Sequence, residues 1–228
     1  MLLKYPLQMN DLSIRLNYTF SNSNLLELAL THRSFAKKNN ERLEFLGDSI
    51  LNTIISIDIY KRFPEISEGD LSRLRASLVK GDTLAKVAQE YCLGDFIKLG
   101  SGELKSGGYR RSSTLADTLE AIIGAVFLDS NFGEVSKFVL SLFSSLLENC
   151  VTGEELKDPK TRLQEYLQSK GKPIPDYDVV SITGKSHQQK FIVECFVSDV
   201  EKKFNGEGPS RRKAEQHSAS NALKYLNL

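Results

Sequence analysis

The sequence predicts an all-α bundle in residues 1–150, followed by a small α+β domain with the element order α-β-β-β-α. Apolar residues recur at helical spacing through nearly all of the first 150 residues, whereas strand-like runs occur only towards the C-terminal end. Between the two regions, residues 151–158 are polar and contain a glycine, which is typical of a linker. We therefore expect two domains, at 1–150 and 159–228.

The helices of the first domain are bounded by residues that cap or break helices. Pro64 ends a long helical pattern, Asp82 is expected to cap a shorter one, and Ser112 or Ser113 is expected to cap another. The interior of that last helix, 121–128, is apolar nearly all round, which is typical of the centre of a bundle. The predicted helices cover about residues 24–32, 41–63, 69–79, 82–90, 112–128 and 132–149, and a glycine-rich loop is expected at 100–108.

The second domain is predicted to begin with one helix and to end with another. Three strand-like runs lie between them, and a Gly-Pro-Ser turn at Gly208–Ser210 leads into the final helix. The predicted helices cover about 160–170 and 211–226, and the predicted strands cover 177–183, 190–197 and 201–205.

The composition is that of a soluble, cytoplasmic protein. No apolar run reaches the length of a membrane span, and the first residues lack the apolar core of a signal peptide. Cys92, Cys150 and Cys195 are far apart and match no metal-ligand spacing, so we expect reduced thiols. Lysine and arginine number 17 against 18 acids in residues 1–150, and 13 against 11 in the rest. Nucleic-acid binding would therefore require local basic clusters.

Two groups of acids share helical faces in the first domain. Glu41, Glu44 and Asp48 fall within roughly 60° of one another on a helix, although like charges at this spacing repel. Asp117 and Glu120 form a second pair, directly before the most apolar helical segment. Several hard oxygen ligands suit Mg²⁺ or Mn²⁺ rather than zinc. The alternative is that these acids lie in the N-terminal turns of their helices, where the helix dipole stabilises them, or that they form a solvated face.

Basic residues also cluster at a few points along the chain. Arg211–Lys213 opens the last predicted helix, where cations oppose the helix dipole, while helix amides together with three cations suit a phosphate. The alternative is an ordinary solvated face. Arg33, beside His32 and Ser34, could pair with an acid or a phosphate. The alternative is that this segment is the C-terminal cap of a helix, with His32 favoured by the helix dipole. Finally, Lys105, Arg110 and Arg111 are candidates for contact with a nucleic-acid backbone.

Several segments together resemble the ribonuclease III family. Asn40–Ser49 is similar to the family's signature, and the linker and C-terminal region resemble its double-stranded-RNA-binding domain. The resemblance covers nearly the whole chain, because further matching segments lie in family order at 28–34, 68–76, 99–108 and 115–121.

The resemblance implies roles for the acids. Asp48 and Glu120 match the catalytic positions that are most sensitive in the family. Glu41 and Glu68 match further acidic positions, near the substrate or a second metal. The implied metal-binding set is Glu44, Asp48, Asp117 and Glu120.

The resemblance also implies contacts with RNA and with a second subunit. Phe45 matches an aromatic residue that inserts into the partner subunit, whereas its spacing alone would also suit an ordinary core residue. His187 would enter a second minor groove. The last helix departs from the family's alanine-rich pattern, with His217 and Ser218 expected on its outer face and Ser220 expected to weaken packing. The other implied RNA-binding residues are Thr161, Gln164, Glu165, Arg211, Arg212 and Lys213.

The function that follows is an endoribonuclease that cleaves double-stranded RNA with Mg²⁺, for which Mn²⁺ can substitute. The resemblance implies 5′-phosphate and 3′-hydroxyl ends, a homodimer without membrane attachment, and ribosomal RNA precursors and structured messenger RNA as substrates. The main rival is a non-enzymatic RNA-binding factor with the same fold, which the loss of one of the four acids would favour. A metal phosphohydrolase acting on small nucleotides is disfavoured by the C-terminal domain.

Overall fold

The computed structural model describes residues 4–150, 158–184, 188–198, 200 and 202–228, with side chains from residue 10 onwards. The chain divides into two compact units, Met1–Val151 and Thr152–Leu228. None of the helices in the described ranges combines the length and the hydrophobicity needed to cross a bilayer. The three cysteines are free thiols.

The first unit is all-α, as predicted. Two short 3₁₀ turns, at Leu93–Asp95 and Gly108–Arg110, join its helices. The helices are α1 (Lys4–Arg15), α2 (Ser23–Ala29), α3 (Glu41–Arg62), α4 (Glu68–Val79), α5 (Gly81–Glu90), α6 (Ser101–Lys105), α7 (Ser112–Asp129), α8 (Phe132–Leu142) and α9 (Ser144–Glu148).

Helix α7 is the central helix of this unit, which confirms the expectation from its apolar interior. Residues 121–126 are all buried. Helices α3 and α7 touch backbone to backbone: a Cβ on Gly47 would lie 1.8 Å from the carbonyl oxygen of Glu120, and one on Gly124 would lie 2.3 Å from that of Leu43. Only glycine allows so close an approach.

Several local predictions in the first unit are wrong. Asp82 lies inside the first turn of α5, whose cap position is Lys80, and α7 begins at Ser112 with Arg111 at its cap position; neither cap makes a side-chain hydrogen bond. The glycine-rich loop contains α6. The expected helix at 132–149 breaks at Phe143 into α8 and α9, and α1 has no predicted counterpart.

The second unit has the predicted α-β-β-β-α order. An antiparallel sheet in the order β1-β2-β3 packs against two helices. Its core consists of Leu163, Leu167, Cys195, Val197, Phe204, Ala219, Ala222 and Leu223. The elements are α10 (Pro159–Ser169), β1 (Asp176–Thr183), β2 (Lys190–Phe196), β3 (Phe204–Gly208) and α11 (Arg211–Tyr225).

The third strand lies further along the chain than 201–205. Gly206, within β3, faces α11: a Cβ there would lie 2.1 Å from the backbone nitrogen of Ser218 and 2.3 Å from the carbonyl oxygen of Ala214. Glycine in this strand therefore permits close helix packing. Of the expected linker, residues 151–157 lie outside the described residues. Asp158 caps α10 by accepting a hydrogen bond from the backbone N–H of Thr161.

The expectation that Ser218 lies on the outer face of the last helix is wrong. Ser218 is fully buried, and its hydroxyl donates to the carbonyl oxygen of Glu215 at 2.9 Å. That bond satisfies the buried hydroxyl, which would otherwise destabilise the core. His217 is exposed, as expected, and Ser220 is half-buried.

Candidate metal centre and RNA-binding surface

Three of the predicted acids meet where α3 crosses α7. Glu44 comes from α3, and Asp117 and Glu120 come from α7; a carboxylate oxygen of each lies within 4.8 Å of the others. All three residues are half-buried. The close approach at Gly47, whose nearest contact is the backbone of Glu120, brings the two helices near enough for this grouping.

The group has an excess of negative charge. Burial, followed by the charges of Asp48, Asp117 and Glu44, raises the pKa of Glu120 to about 8. Burial and then the charge of Asp117 raise the pKa of Glu44. Burial also raises the pKa of Asp117, although His32 and Arg33 oppose that effect. A solvated face would not be half-buried in this way, so the arrangement favours a bound cation.

Asp48 lies beside this group rather than within it. Its side chain is exposed, and Oδ1 accepts a hydrogen bond from Nδ2 of Asn52 at 2.8 Å, one turn further along α3. Its charge nevertheless contributes to the raised pKa of Glu120. The described structure therefore brings together three of the four predicted acids and places the fourth next to them.

The two further acidic positions lie outside the three-carboxylate group. Glu41 is exposed and accepts hydrogen bonds from Nδ2 of Asn39 at 3.0 Å and from Nη1 of Arg33 at 3.4 Å. Glu68, in the first turn of α4, accepts a bond from the hydroxyl of Ser72 at 2.7 Å.

A cavity of about 190 Å³ opens beside Glu44 and Asp117. Sequence reasoning missed Asn40, which is buried and whose Nδ2 donates to the carbonyl oxygen of Ala29 at 3.2 Å. Its signals in the sequence were its place directly before the acidic helix and its position as the first residue of the signature-like segment Asn40–Ser49. The cavity is lined by His32, Arg33, Asn40, Glu41, Glu44 and Asp117.

His32 is held by Ser34 beside this cavity. The backbone N–H of Ser34 donates to Nδ1 of His32 at 3.1 Å, and Gly100 N–H donates to the Ser34 hydroxyl at 3.0 Å. Nδ1 also lies 2.8 Å from the hydroxyl oxygen of Ser34, so that the two contacts with Ser34 together orient the imidazole ring. The interpretation of His32 as a helix cap is wrong, since α2 ends at Ala29 with Leu30 as its C-cap.

The basic residues near the glycine-rich segment do not join the acidic group. Arg111 donates to Oε2 of Glu103 at 3.0 Å, and the Arg110 guanidinium lies 5.0 Å from the ring centroid of Tyr109. Lys105, like both arginines, is exposed.

The predicted RNA-binding residues of the second unit lie on its two helices. On α10, the hydroxyl of Thr161 donates to Asp158 at 3.2 Å, Gln164 is exposed and Glu165 is half-buried. On α11, the cluster Arg211–Lys213 is exposed, and Ser210 caps the helix by accepting from the Lys213 backbone N–H. His187 lies outside the described residues.

Comparison with known proteins identifies the family. A family profile described as ribonuclease-III-like matches residues 22–146, and one described as the double-stranded RNA binding motif matches residues 159–226. A protein named Ribonuclease 3 from Photorhabdus laumondii is 54% identical over 98% of this chain and 99% of the relative. The chain belongs to the ribonuclease III family. Another Ribonuclease 3, from Vibrio parahaemolyticus, is 56% identical over 95% of this chain and 96% of the relative.

Solved structures of ribonuclease III also match the first unit. The nuclease domain of the Campylobacter jejuni enzyme is 44% identical, with a TM-score of 0.58, and the match covers 60% of this chain and 94% of that one. A second structure of that domain is 45% identical, with the same TM-score, and the match covers 59% of this chain and 95% of that one. Its description reports structural flexibility in a region of the nuclease domain that is involved in dimer formation.

Membership of the ribonuclease III family makes the chain an endoribonuclease with a double-stranded-RNA-binding domain. The family also implies a divalent metal. The group of Glu44, Asp117 and Glu120 fits such an ion, because it offers only carboxylate oxygens and raises the pKa of its own members.

Phe45, next to Glu44 in this ribonuclease III, is 77% exposed. The interpretation of Phe45 as a core residue of its own subunit is therefore wrong. Large exposed aromatic residues often mark interaction sites.

Proposed function

We propose that this ribonuclease III hydrolyses phosphodiester bonds of double-stranded RNA with Mg²⁺, leaving 5′-phosphate and 3′-hydroxyl ends. The observation that carries the proposal is the meeting of three half-buried carboxylates, Glu44, Asp117 and Glu120, where α3 crosses α7. When bound, Mg²⁺ or Mn²⁺ supplies a Lewis acid that activates water for attack on phosphorus and stabilises charge on the leaving oxygen.

The protein's own residues hold the ion and prepare the site. Glu44, Asp117 and Glu120 provide the ligand oxygens, and Asp48 adds negative charge close to Glu120. We propose that Arg33 and His32, which line the adjacent cavity, meet a phosphate oxygen. The exposed acids Glu41 and Glu68 remain proposed as further acidic positions near the substrate or a second metal.

We further propose that the enzyme is a homodimer, with Phe45 inserted into the partner subunit and two sites that cut opposite strands to leave a short 3′ overhang. The exposed Phe45 supports this, as does the dimer-forming region described for the Campylobacter jejuni nuclease domain. In the second unit, we propose that Thr161, Gln164 and Glu165 meet the minor groove and that the cluster Arg211–Lys213 meets phosphates. His187 remains a prediction for the second minor groove.

The proposed substrates are ribosomal RNA precursors and structured messenger RNA in the cytoplasm. A cytoplasmic double-stranded-RNA nuclease needs both an acidic, metal-dependent site and a unit that binds the duplex, because phosphate is repelled by the acids alone. The family's two domains meet these two needs.

The test is cleavage of long double-stranded RNA by the purified protein. Wild type should cut in Mg²⁺ and in Mn²⁺ but not in EDTA, whereas Glu120→Gln should bind the duplex and fail to cut. Glu134→Gln, on an exposed part of α8, is the matched control and should cut normally. If wild type binds the duplex but never cuts it with either metal, the protein is the non-enzymatic RNA-binding factor instead.

A further inference from the structure

One carboxylate joins the N-terminal turns of the two helices in the second unit. Glu215, on α11, is only 8% exposed. Its Oε2 accepts from Nζ of Lys160, in the first turn of α10, at 2.6 Å, and its Oε1 accepts from Nε of Arg211, in the first turn of α11, at 2.8 Å. The first turns of the two helices, which carry Thr161 and the cluster Arg211–Lys213, are therefore tied together through one side chain.

Neighbouring contacts reinforce this arrangement. The backbone N–H of Lys160 donates to Oε1 of Gln216 at 3.2 Å, and Nζ of Lys160 lies 4.4 Å from the ring centroid of Tyr177. Although burial would raise the pKa of Glu215, the hydrogen bonds from Lys160 and Arg211 outweigh burial and lower it. Glu215 is thus an ionised carboxylate that pairs with two cations.

The other two cations of the cluster have a different environment. Arg212 and Lys213 line a cavity of about 470 Å³ together with Asp158, Ser210 and Gln216, at the point where both helices begin. Both side chains are exposed, and neither forms an ion pair with another of the described residues. They are available to a phosphate, whereas Arg211 is already engaged.

A buried carboxylate among cations that face a polyanion reduces the attraction for RNA. We propose that Glu215 is a positioning residue that withholds Arg211 and Lys160 from phosphate and leaves Arg212 and Lys213 as the phosphate-binding pair. The proposal rests on the proposed RNA-binding role of the second unit. It divides the cluster Arg211–Lys213 into one structural arginine and two RNA contacts.

Salt dependence separates these roles, because each cation that neutralises a phosphate releases counterions, whereas a cation already paired with a carboxylate contributes little. The full-length protein would be titrated with a labelled RNA duplex in EDTA, which prevents metal-dependent cleavage, over a series of KCl concentrations. Arg212→Gln and Lys213→Gln should each reduce the slope of log Kd against log [KCl] by about 0.9. Arg211→Gln should leave the slope unchanged.

Glu215→Gln should steepen the slope by up to about 1.8, because it releases both Arg211 and Lys160 to meet phosphate and each adds about 0.9. A purely structural role for Glu215 would alter Kd without changing the slope. Arg211→Gln keeps the test decisive even if Glu215→Gln fails to fold, since the Arg211 side chain is 64% exposed. Circular dichroism would verify the fold of each variant.

If Arg211→Gln flattens the slope as much as Arg212→Gln does, the inference is wrong while the proposed RNA-binding role stands. If none of the three substitutions in the cluster changes the slope, the cluster does not contact RNA, and both proposals are wrong.

Discussion

Glu120 has the most perturbed environment among the acids of the proposed site. It projects from the buried central helix towards Glu44, Asp117 and Asp48, so that both burial and like charges disfavour its ionised form. A divalent cation would relieve both effects at once. Of the acids at the site, Glu120 is therefore the one whose ionised form is most destabilised without a metal and most stabilised by a bound cation.

Glu120 should make the stability of the metal-free protein fall as pH rises. Its pKa is about 8 in the folded chain against an ordinary value of 4.5, so between these values the folded state holds a proton that the unfolded state releases. The stabilisation is complete below about pH 4.5 and is lost as pH rises through about 8. In EDTA, the Tm of wild type should fall from pH 5 to pH 8 by roughly 5 °C more than that of Glu120→Gln.

Glu134→Gln is the control for this measurement and should follow wild type, because Glu134 is an exposed acid with a surface partner, Lys137. Identical pH dependence in wild type and Glu120→Gln would show that Glu120 is not held protonated. Added Mg²⁺ should raise the Tm of wild type more at pH 8 than at pH 5, since metal and proton compete for the same oxygens.

At the scale of elements, the crossing of α3 and α7 decides whether a site exists. Gly47 and Gly124 let the two backbones touch, and the acids on either side of that contact come within reach of one ion. The second unit uses the same device, since Gly206 in β3 lets α11 pack closely at Ser218 and Ala214. In both places the glycine is needed because two elements approach closely, and not because the backbone turns there.

Gly47→Ala should separate the helices and damage the site. Its Cβ would lie 1.8 Å from the Glu120 carbonyl oxygen, a backbone atom that cannot rotate away. We expect the free energy of unfolding to fall by about 3 kcal/mol or more and Mn²⁺ binding to weaken at least about tenfold, because the ligand oxygens move apart. Urea unfolding and a Mn²⁺ titration measure the two effects.

Gly102→Ala is the matched control, since it lies in α6 and a Cβ there would meet nothing within 4 Å. It should leave metal binding unchanged and alter the stability by less than about 1 kcal/mol. Equal effects from Gly47→Ala and Gly102→Ala would contradict the importance of the crossing.

At the scale of the whole molecule, the proposed homodimer depends on a side chain that contributes little to its own subunit. Phe45 lies beside a proposed metal ligand, so dimer contact and metal site would share one stretch of α3. Assembly and catalysis would then be coupled through Glu44 and its neighbour.

Phe45→Ser should convert a dimer into a folded monomer. The substitution removes a large apolar surface from the proposed interface but leaves the core intact, because the side chain is 77% exposed. Analytical ultracentrifugation measures the change in mass, and circular dichroism verifies the fold. Ile14→Ser is the control, since Ile14 is 70% exposed on α1 and should leave the mass unchanged. If the Phe45→Ser variant remains a dimer, Phe45 does not contribute to the interface.

Local sequence patterns were enough to predict the two-unit order, the helical character of residues 1–150, the α-β-β-β-α pattern and the identity of the candidate acids. These features follow from local periodicity, which one chain segment carries by itself. Spacing on a helix fixes the angle between side chains such as Glu41, Glu44 and Asp48, but it does not fix what approaches that face.

Packing between elements remote in sequence establishes which of these acids meet. Glu44 joins Asp117 and Glu120 because two glycines let α3 and α7 touch, whereas Asp48 bonds Asn52 along its own helix. Tertiary packing also buried Ser218 against β3 and brought Lys160 of α10 to Glu215 of α11, 55 residues further along the chain. These outcomes depend on distances between elements that are remote in sequence, which local patterns do not encode.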